Sequence, residues 1–303
     1  MNNTLLLPLP GNDSLADALA TRIDAEIGKV TVRRFPDRES YVRIESPVEG
    51  RTVLLCCTLD RPDDKIMPLL FLAEAARDLG AEKVGLVAPY LAYMRQDHRF
   101  QPGEGITSFY FAQLLSSVVD GLVTVDPHLH RHRSLEEIYS IPCRAVRAAP
   151  AISNWIRTHL PRPLLIGPDR ESEQWAAAVA AGAGAPYLIL EKIRRGDREV
   201  EISLPMADRW RDRTPVLIDD IISSGGTMIE AVGQLRRVGL PPPVCIGVHA
   251  VFADQAHADL LASGAGQVAT CNTIPHPSNR IDIGDLLAEG IRSLLTLPPS
   301  SPE

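Results

Sequence analysis

An α/β fold built on parallel sheets is what this sequence predicts, and three observations predict it. Short unbroken aliphatic runs, among them Leu5–Leu9, Val53–Cys57, Val84–Ala88, Pro163–Gly167 and Val244–Val251, read as strands buried on both faces. Stretches with apolar residues at helical spacing separate them, so strand and helix alternate. The alternation runs at comparable length through both halves of 303 residues, more than one ordinary domain holds. Two domains are therefore expected, 1–146 and 147–296, with a Pro- and Ser-rich tail, 297–303, expected to be disordered.

Bulk composition narrows the function. Hydrophobic residues make up 45%, enough for sizeable cores, and the net charge of −7 argues against nucleic-acid binding as the main task. The five cysteines, Cys56, Cys57, Cys143, Cys245 and Cys271, are odd in number and scattered, so no disulfide framework is expected. No cationic start precedes an apolar core, and no apolar run reaches transmembrane length. A cytoplasmic protein without a membrane anchor is the expectation.

Taken in order, the Leu5–Leu9 strand meets the turn and cap Gly11–Ser14 and a helix over Leu15–Ile27. Val30–Val32 starts an extended piece that runs into Arg33–Ser40, where Pro36 blocks a helix. Phe35 there suits stacking on a base, with Asp37 and Glu39 accepting from an exocyclic amine; a solvated hairpin tip is the competing reading. After Val53–Cys57 comes a helix over Ile66–Leu79, ended by Gly80. Val84–Ala88 then delivers Pro89–Phe100 to the sheet edge where α/β proteins place ligands, and Arg95, His98 and Arg99 suit a polyphosphate. A helix over Phe109–Val118 and a strand over Gly121–Val125 lead to His128, His130 and His132. Three alternate histidines invite a zinc reading, but no cysteine or fourth ligand accompanies them. Residues Arg144–Pro150 show no periodicity and read as a crossover.

The second half repeats the layout. A helix over Ile152–Leu160 and the strand Pro163–Gly167 present Asp169, placed to bind magnesium directly or through water. The Ala-rich helix Gln174–Ala180 and the strand Tyr187–Leu190 precede the charged run Glu191–Glu199. That run reads as a solvated hairpin, or as a flap whose Lys192 and Arg194 close over transferring phosphates. Val216–Ile218 is a buried strand that ends in Asp219 and Asp220, whose side chains should point to opposite sides and take separate roles. Ser223, Ser224, Gly225, Gly226 and Thr227 form a small-residue loop before a helix over Met228–Val238, an arrangement that seats a phosphate on unobstructed amides. Carboxylates beside a phosphate cradle accept from a diol, so the ligand is a phosphorylated polyol such as ribose 5-phosphate. A helix over Asp254–Ser263 and a strand from Val268 to Ile274 follow Val244–Val251.

Six separated phrases carry a resemblance: RRFPDRESYVRI from Arg33, PYLAYMRQDHRF from Pro89, VDPH from Val125, GPDRESEQW from Gly167, EKIRRGDREVEI from Glu191 and VLIDDIISSGGT from Val216. Together they resemble the ribose-phosphate pyrophosphokinase family over residues 4 to 290. That resemblance implies two tandem type I phosphoribosyltransferase-like domains, each a mainly parallel sheet flanked by helices. It implies transfer of diphosphate from ATP to ribose 5-phosphate, with Mg2+ as cofactor and self-association into a homo-oligomer. Position by position, Phe35, Asp37 and Glu39 would hold adenine from a neighbouring subunit, with Arg95, Gln96 and Asp97 on the nucleotide. His128 and Asp169 would engage the metal; Lys192, Arg194 and His128 would serve catalysis. Asp219 and Asp220 would bind ribose hydroxyls, and Ser223, Ser224, Gly225, Gly226 and Thr227 the 5-phosphate.

Two departures from the family pattern stand out. Ser223 replaces the usual Asp and resembles the archaeal-type branch, which puts regulation by ADP in doubt; Arg38 replaces the Gly of the phrase FPDGE. A paralogue with another sugar phosphate or nucleotide is the nearest rival. A non-catalytic regulatory subunit is disfavoured because His128, Asp169, Lys192, Arg194, Asp219 and Asp220 are all retained.

Overall fold

Aliphatic residues on consecutive positions have no solvent side to offer, so the runs read from the sequence become inner strands of two parallel sheets. The computed structural model describes residues 3–129, 131–170, 172–195, 199–203 and 207–296. The chain divides into two compact units, one of residues up to Arg147 together with those from Gly284 on, the other Ala148–Ile283.

In the first unit, β1 (Thr4–Pro8), α1 (Asp13–Ile23), β2 (Glu26–Ile27), β3 (Val30–Arg34), β4 (Ser40–Ile44), β5 (Thr52–Cys56), α2 (Asp63–Asp78), β6 (Lys83–Ala88), α3 (Thr107–Val118), β7 (Gly121–Val125) and β8 (Cys143–Val146) follow one another. Six strands pair in parallel in the order β2-β1-β5-β6-β7-β8. Leu5, Leu6, Leu7, Leu54 and Leu55 are fully buried in it, each side chain contributing roughly 1.5–3 kcal/mol. Two local readings need correction. The first helix stops at Ile23, because Asp24 turns left-handed (φ 56°) and donates its N–H to Ala20 O, which frees Glu26–Ile27 to pair beside Leu5 and Leu6. The stretch taken as a crossover contains β8, an edge strand of four residues too short to show a period.

The second unit runs α4 (Ala149–His159), β9 (Pro163–Gly167), α5 (Glu173–Ala183), β10 (Tyr187–Ile189), β11 (Glu191–Arg195), β12 (Glu199–Ser203), β13 (Thr214–Ile221), α6 (Gly226–Arg237), β14 (Val244–His249), α7 (Ala256–Ala262), β15 (Gln267–Cys271) and β16 (Asn279–Ile281). Its sheet has the order β10-β9-β13-β14-β15-β16, again all parallel. Under it, Leu164, Ile166 and Leu217 pack with Met228, Val232 and Leu235 of α6.

The last helix, α8 (Gly284–Leu295), is assigned by chain position to the second half, yet it packs on α1, β7 and β8 of the first unit. Gly290 allows the approach: a Cβ there would stand 2.6 Å from Val146 Cγ2. Arg22 also pairs with Asp285 at 2.6 Å. The tail 297–303 lies outside the described residues. All five cysteines are free and buried, and burial pushes the Cys56 and Cys245 thiols up to about 12. Among the described residues no helix is long and apolar enough to cross a membrane.

Each unit also projects an antiparallel hairpin, β3–β4 and β11–β12. The β3–β4 turn is closed by Phe35 N–H to Glu39 O at 2.8 Å and Arg38 N–H to Phe35 O at 2.9 Å, and Arg38 takes φ +74°. That is the backbone region glycine occupies without a Cβ penalty, which explains why Gly suits this position. Replacing Arg38→Gly is expected to raise stability by up to about 1 kcal/mol, read as a higher denaturation midpoint. A lower midpoint would mean the Arg38 side chain holds the turn.

Candidate functional site

The second unit gathers the most chemistry. Its chain leaves β9 outward to β10 on one side and leaves β13 outward through β14 to β16 on the other. The C-terminal ends of β9 and β13 therefore flank a topological switch point, where open α/β sheets bind ligands. Beyond β9, the Asp169 carboxylate accepts the Ser172 N–H at 3.1 Å, and Ser172 Oγ donates to Asp169 O at 2.6 Å.

Strand β13 does not end at its acidic pair but continues to Ile221. Asp219 Oδ1 accepts the Asp220 N–H at 3.0 Å, and Asp220 Oδ1 accepts the Ile221 N–H at 2.8 Å. Each side chain thus folds back onto the following amide. Burial, then Asp220, then Asp169 push the Asp219 carboxyl up to about 8.

Next to the acidic group lies the small-residue loop. Gly225 adopts φ +74°, which only glycine takes freely, and turns the chain into α6. The N–H groups of Gly226, Thr227 and Met228 have no hydrogen-bond partner among the described residues. They open toward the loop with the positive end of the helix behind them. Met228, Ala231, Val232 and Leu235, spaced at i, i+3, i+4 and i+7, bury one face of α6 and fix its direction. Ser223 is half-buried and Ser224 exposed. Ile222 O and Ser223 O accept the Phe252 and Ala253 N–H groups at 2.9 and 3.1 Å.

In the first unit the predicted residues fall into two groups. Phe35, Asp37 and Glu39 occupy the exposed turn of the β3–β4 hairpin, where Arg33 lies 4.7 Å over the Phe35 ring. An ion pair from Arg34 to Asp64 ties the hairpin to α2. Arg95, Gln96 and Asp97 lie after β6. Arg95 is exposed, and Gln96 Oε1 accepts from Thr107 Oγ1 at 3.2 Å. The Asp97 side chain is only 6% exposed, bonded to His98 Nδ1 at 2.8 Å and Arg131 Nε at 3.3 Å. Burial alone would push its pKa up, but the His98 bond and the Arg131 charge hold the carboxyl below its ordinary range. Arg131, which the sequence reading passed over, thus joins the loop after β6 to the loop after β7.

His128 is half-buried beyond β7. His130 of the zinc reading lies outside the described residues, and His132 pairs with Glu137 at 3.2 Å. Among the described residues no three His, Cys, Asp or Glu side chains stand close enough to hold a metal. His128 belongs to the first unit and Asp169 to the second. Lys192 and Arg194 stand two apart on β11, opposite Ile202 and Val200 of β12, and the hairpin tip 196–198 lies outside the described residues.

Comparison with known proteins follows the same division. A family model described as the N-terminal domain of ribose phosphate pyrophosphokinase matches residues 4–118, and a phosphoribosyl transferase domain model matches residues 134–279. A curated ribose-phosphate pyrophosphokinase of Methanopyrus kandleri is 35% identical over 282 residues, 92% of this chain and 96% of that protein. One from Thermococcus kodakarensis is 36% identical over 261 residues, 86% and 90% of the two chains. Among solved structures, a phosphoribosylpyrophosphate synthetase from Mycobacterium smegmatis superposes with a TM-score of 0.83 at 26% identity, covering 97% of this chain and 99% of that one.

The acidic cluster makes a prediction about stability. A carboxyl raised in the folded state holds a proton that the unfolded chain has already lost. Stability therefore falls as pH rises from the ordinary carboxylate range toward about 8. Replacing Asp219→Asn is expected to stabilise the ligand-free protein at the alkaline end of that window by about 1 kcal/mol or more. Denaturation midpoints should change less with pH than in the parent. An equal pH slope in both would mean that Asp219 ionises normally.

Proposed function

The chain belongs to the ribose-phosphate pyrophosphokinase family, and on that premise we propose that it transfers the diphosphoryl group of ATP to the 1-hydroxyl of ribose 5-phosphate. The products are 5-phosphoribosyl 1-diphosphate and AMP, the former an activated sugar for nucleotide and amino-acid biosynthesis in the cytoplasm. One observation carries the reading: Asp169 follows β9, Asp219 and Asp220 lie at the end of the neighbouring β13, and the amides that open α6 a few residues on have no partner among the described residues. Carboxylates accept from hydroxyls and open amides take an anion, the opposite ends of one ligand. A sugar with free hydroxyls and a terminal phosphate supplies both.

In this reading Ser223, Ser224, Gly225, Gly226 and Thr227 seat the 5-phosphate, while Asp219 and Asp220 accept from the ribose hydroxyls. The 1-hydroxyl oxygen bonds to the β-phosphorus and gives up its proton. The bond from that phosphorus to the oxygen bridging to the α-phosphate breaks, and AMP leaves with the oxygen. Lys192 and Arg194 stabilise the charge that develops on the moving group. Arg95, Gln96 and Asp97 contact the nucleotide; Arg95 is free to do so directly, whereas Asp97 acts through His98 and Arg131, which already occupy its carboxylate. The exposed Phe35, Asp37 and Glu39 reach the adenine of a neighbouring chain in a homo-oligomer. Carboxylate oxygens suit a divalent cation, so Asp169 is proposed as a magnesium ligand, and His128 of the first unit is proposed as a metal ligand on the family resemblance. When bound, the ion supplies positive charge for the phosphates.

Purified protein given magnesium, ATP and ribose 5-phosphate is expected to release AMP only when the sugar phosphate is present. A folded sample that forms none would overturn the reading. Replacing Lys192→Ala should lower turnover on the order of a hundredfold, as for loss of other charge-stabilising groups, with the KM for ribose 5-phosphate little changed. Full turnover in that variant would reduce β11–β12 to a surface hairpin.

A further inference from the structure

One group in the second unit finds no use in the reaction above. The rings of Phe252 and His276, from the loops beyond β14 and β15, meet that of His257 at the start of α7, with His276 4.6 Å from Phe252 and 5.0 Å from His257. His257 lies 5.2 Å from Phe252, closing the triangle. The backbone beneath is under strain: Phe252 takes φ +21° and Asp254 φ +47°, both in the region non-glycine residues avoid. Such conformations persist only where the surroundings impose them. This strained segment is the one whose Phe252 and Ala253 N–H groups hold Ile222 O and Ser223 O, the entrance to the phosphate seat. Ala256 O also lies 3.7 Å from the position of a Cβ on Gly225.

His276 is itself held by a directed chain of hydrogen bonds. Asn279 Oδ1 accepts the His276 N–H at 2.9 Å, which orients the Asn279 amide so that Nδ2 donates to Thr270 Oγ1 at 2.9 Å. Thr270 Oγ1 and Ser278 Oγ are 2.8 Å apart, and Ser278 Oγ lies 2.7 Å from His276 Nδ1. The Ser278 N–H donates to the same Nδ1 at 3.1 Å. A backbone N–H can only donate, so Nδ1 is an acceptor and the ring is neutral, with its proton on Nε2. Thr270 and Ser278 are buried, so water cannot replace these bonds. Protonation would put an Nδ1–H against the Ser278 N–H and break the chain.

We propose that His276 is a positioning residue for the sugar-phosphate site: in its neutral form it clamps Phe252, and through Phe252 it holds the phosphate loop in its binding geometry. Protonation releases the clamp and weakens ribose 5-phosphate binding without touching the transfer step. The inference rests on the function proposed above. Burial and then the neighbouring His257 favour the neutral ring. The other titratable or charged groups of these elements are Arg280, whose Nη1 donates to Pro277 O and Asn279 O on the same loop, and His249, bonded to Thr273. Asp254 and Asp259 on the facing segment are exposed.

The test is the KM for ribose 5-phosphate, read from AMP release between about pH 7.5 and 5.5, the window around histidine's ordinary value. Comparing variants at equal pH cancels the ionisation of the ligand itself. In the parent, KM should rise on acidification about tenfold more than in His276→Asn, the scale of one buried hydrogen bond lost, with kcat at saturating sugar phosphate unchanged by the substitution. Asn keeps an acceptor where Nδ1 stands but cannot take up the proton. As a second variant, Ser278→Ala removes a donor to Nδ1 and should move the acidic rise to higher pH. Identical acid limbs in parent and His276→Asn, or no shift in Ser278→Ala, would overturn the inference. Absence of AMP from the parent at every pH would instead remove the function on which it rests.

Discussion

The side-by-side exits of β9 and β13, one followed by Asp169 and the other carrying Asp219 and Asp220, are the constraint around which the second unit is arranged. The sheet enforces it: β13 is a central strand between β9 and β14, and Leu217 is registered with Ile166, so the exits of β9 and β13 stand side by side. No rotation of one strand could relieve the crowding without breaking ladder bonds on both sides. The raised proton affinity of Asp219 measures the unmet demand. A few residues on, α6 presents the opposite demand, a set of amides that lack an acceptor. A fold that bears both at one edge is less stable empty than filled, and binding energy is what that difference becomes on ligation.

The first unit has the same topology and shows what happens when the switch point is closed. Between the exits of β1 and β5, the buried Asn12 side chain accepts the Thr58 N–H at 2.9 Å and donates to Leu9 O and Pro10 O at 3.2 and 3.3 Å. Lys65 donates to Thr58 O at 2.9 Å and pairs with Asp60. In place of a Ser-Gly-Gly-Thr loop the chain has Asp60, Arg61 and Pro62. The Thr58 N–H at this exit is thus taken by Asn12. One architecture thus supports two kinds of surface, because the side chains at the switch point differ.

What was legible in the sequence was whatever depends on neighbours along the chain. Aliphatic runs gave the inner strands, and SSGGT before an apolar-periodic stretch gave a small-residue loop and α6. Of the four short edge strands only β10 was legible: β2, β8 and β16 have two, four and three residues, and they exist because a neighbouring strand offers open backbone groups. Arg131 and His276 carried no local signal. Each matters through partners distant in sequence or brought round by a turn, Asp97 for one and Ser278 with Thr270 for the other.

The terminal helices show why domain limits were the hardest feature to read. Helix α4 follows the last strand of the first unit, yet it packs on α5 in the second, where Ser153 Oγ donates to Val179 O at 2.9 Å. Helix α8 follows the last strand of the second unit and packs on α1 in the first. Each unit is thus completed by a helix whose chain neighbour lies in the other, and a permuted chain beginning with α8 would give both units one order of elements. Leu287 and Ile291 of α8 are fully buried, a contribution of roughly 1.5–3 kcal/mol each. The first unit, although its strands are made first, therefore completes its core only after the second unit's last strand has been reached.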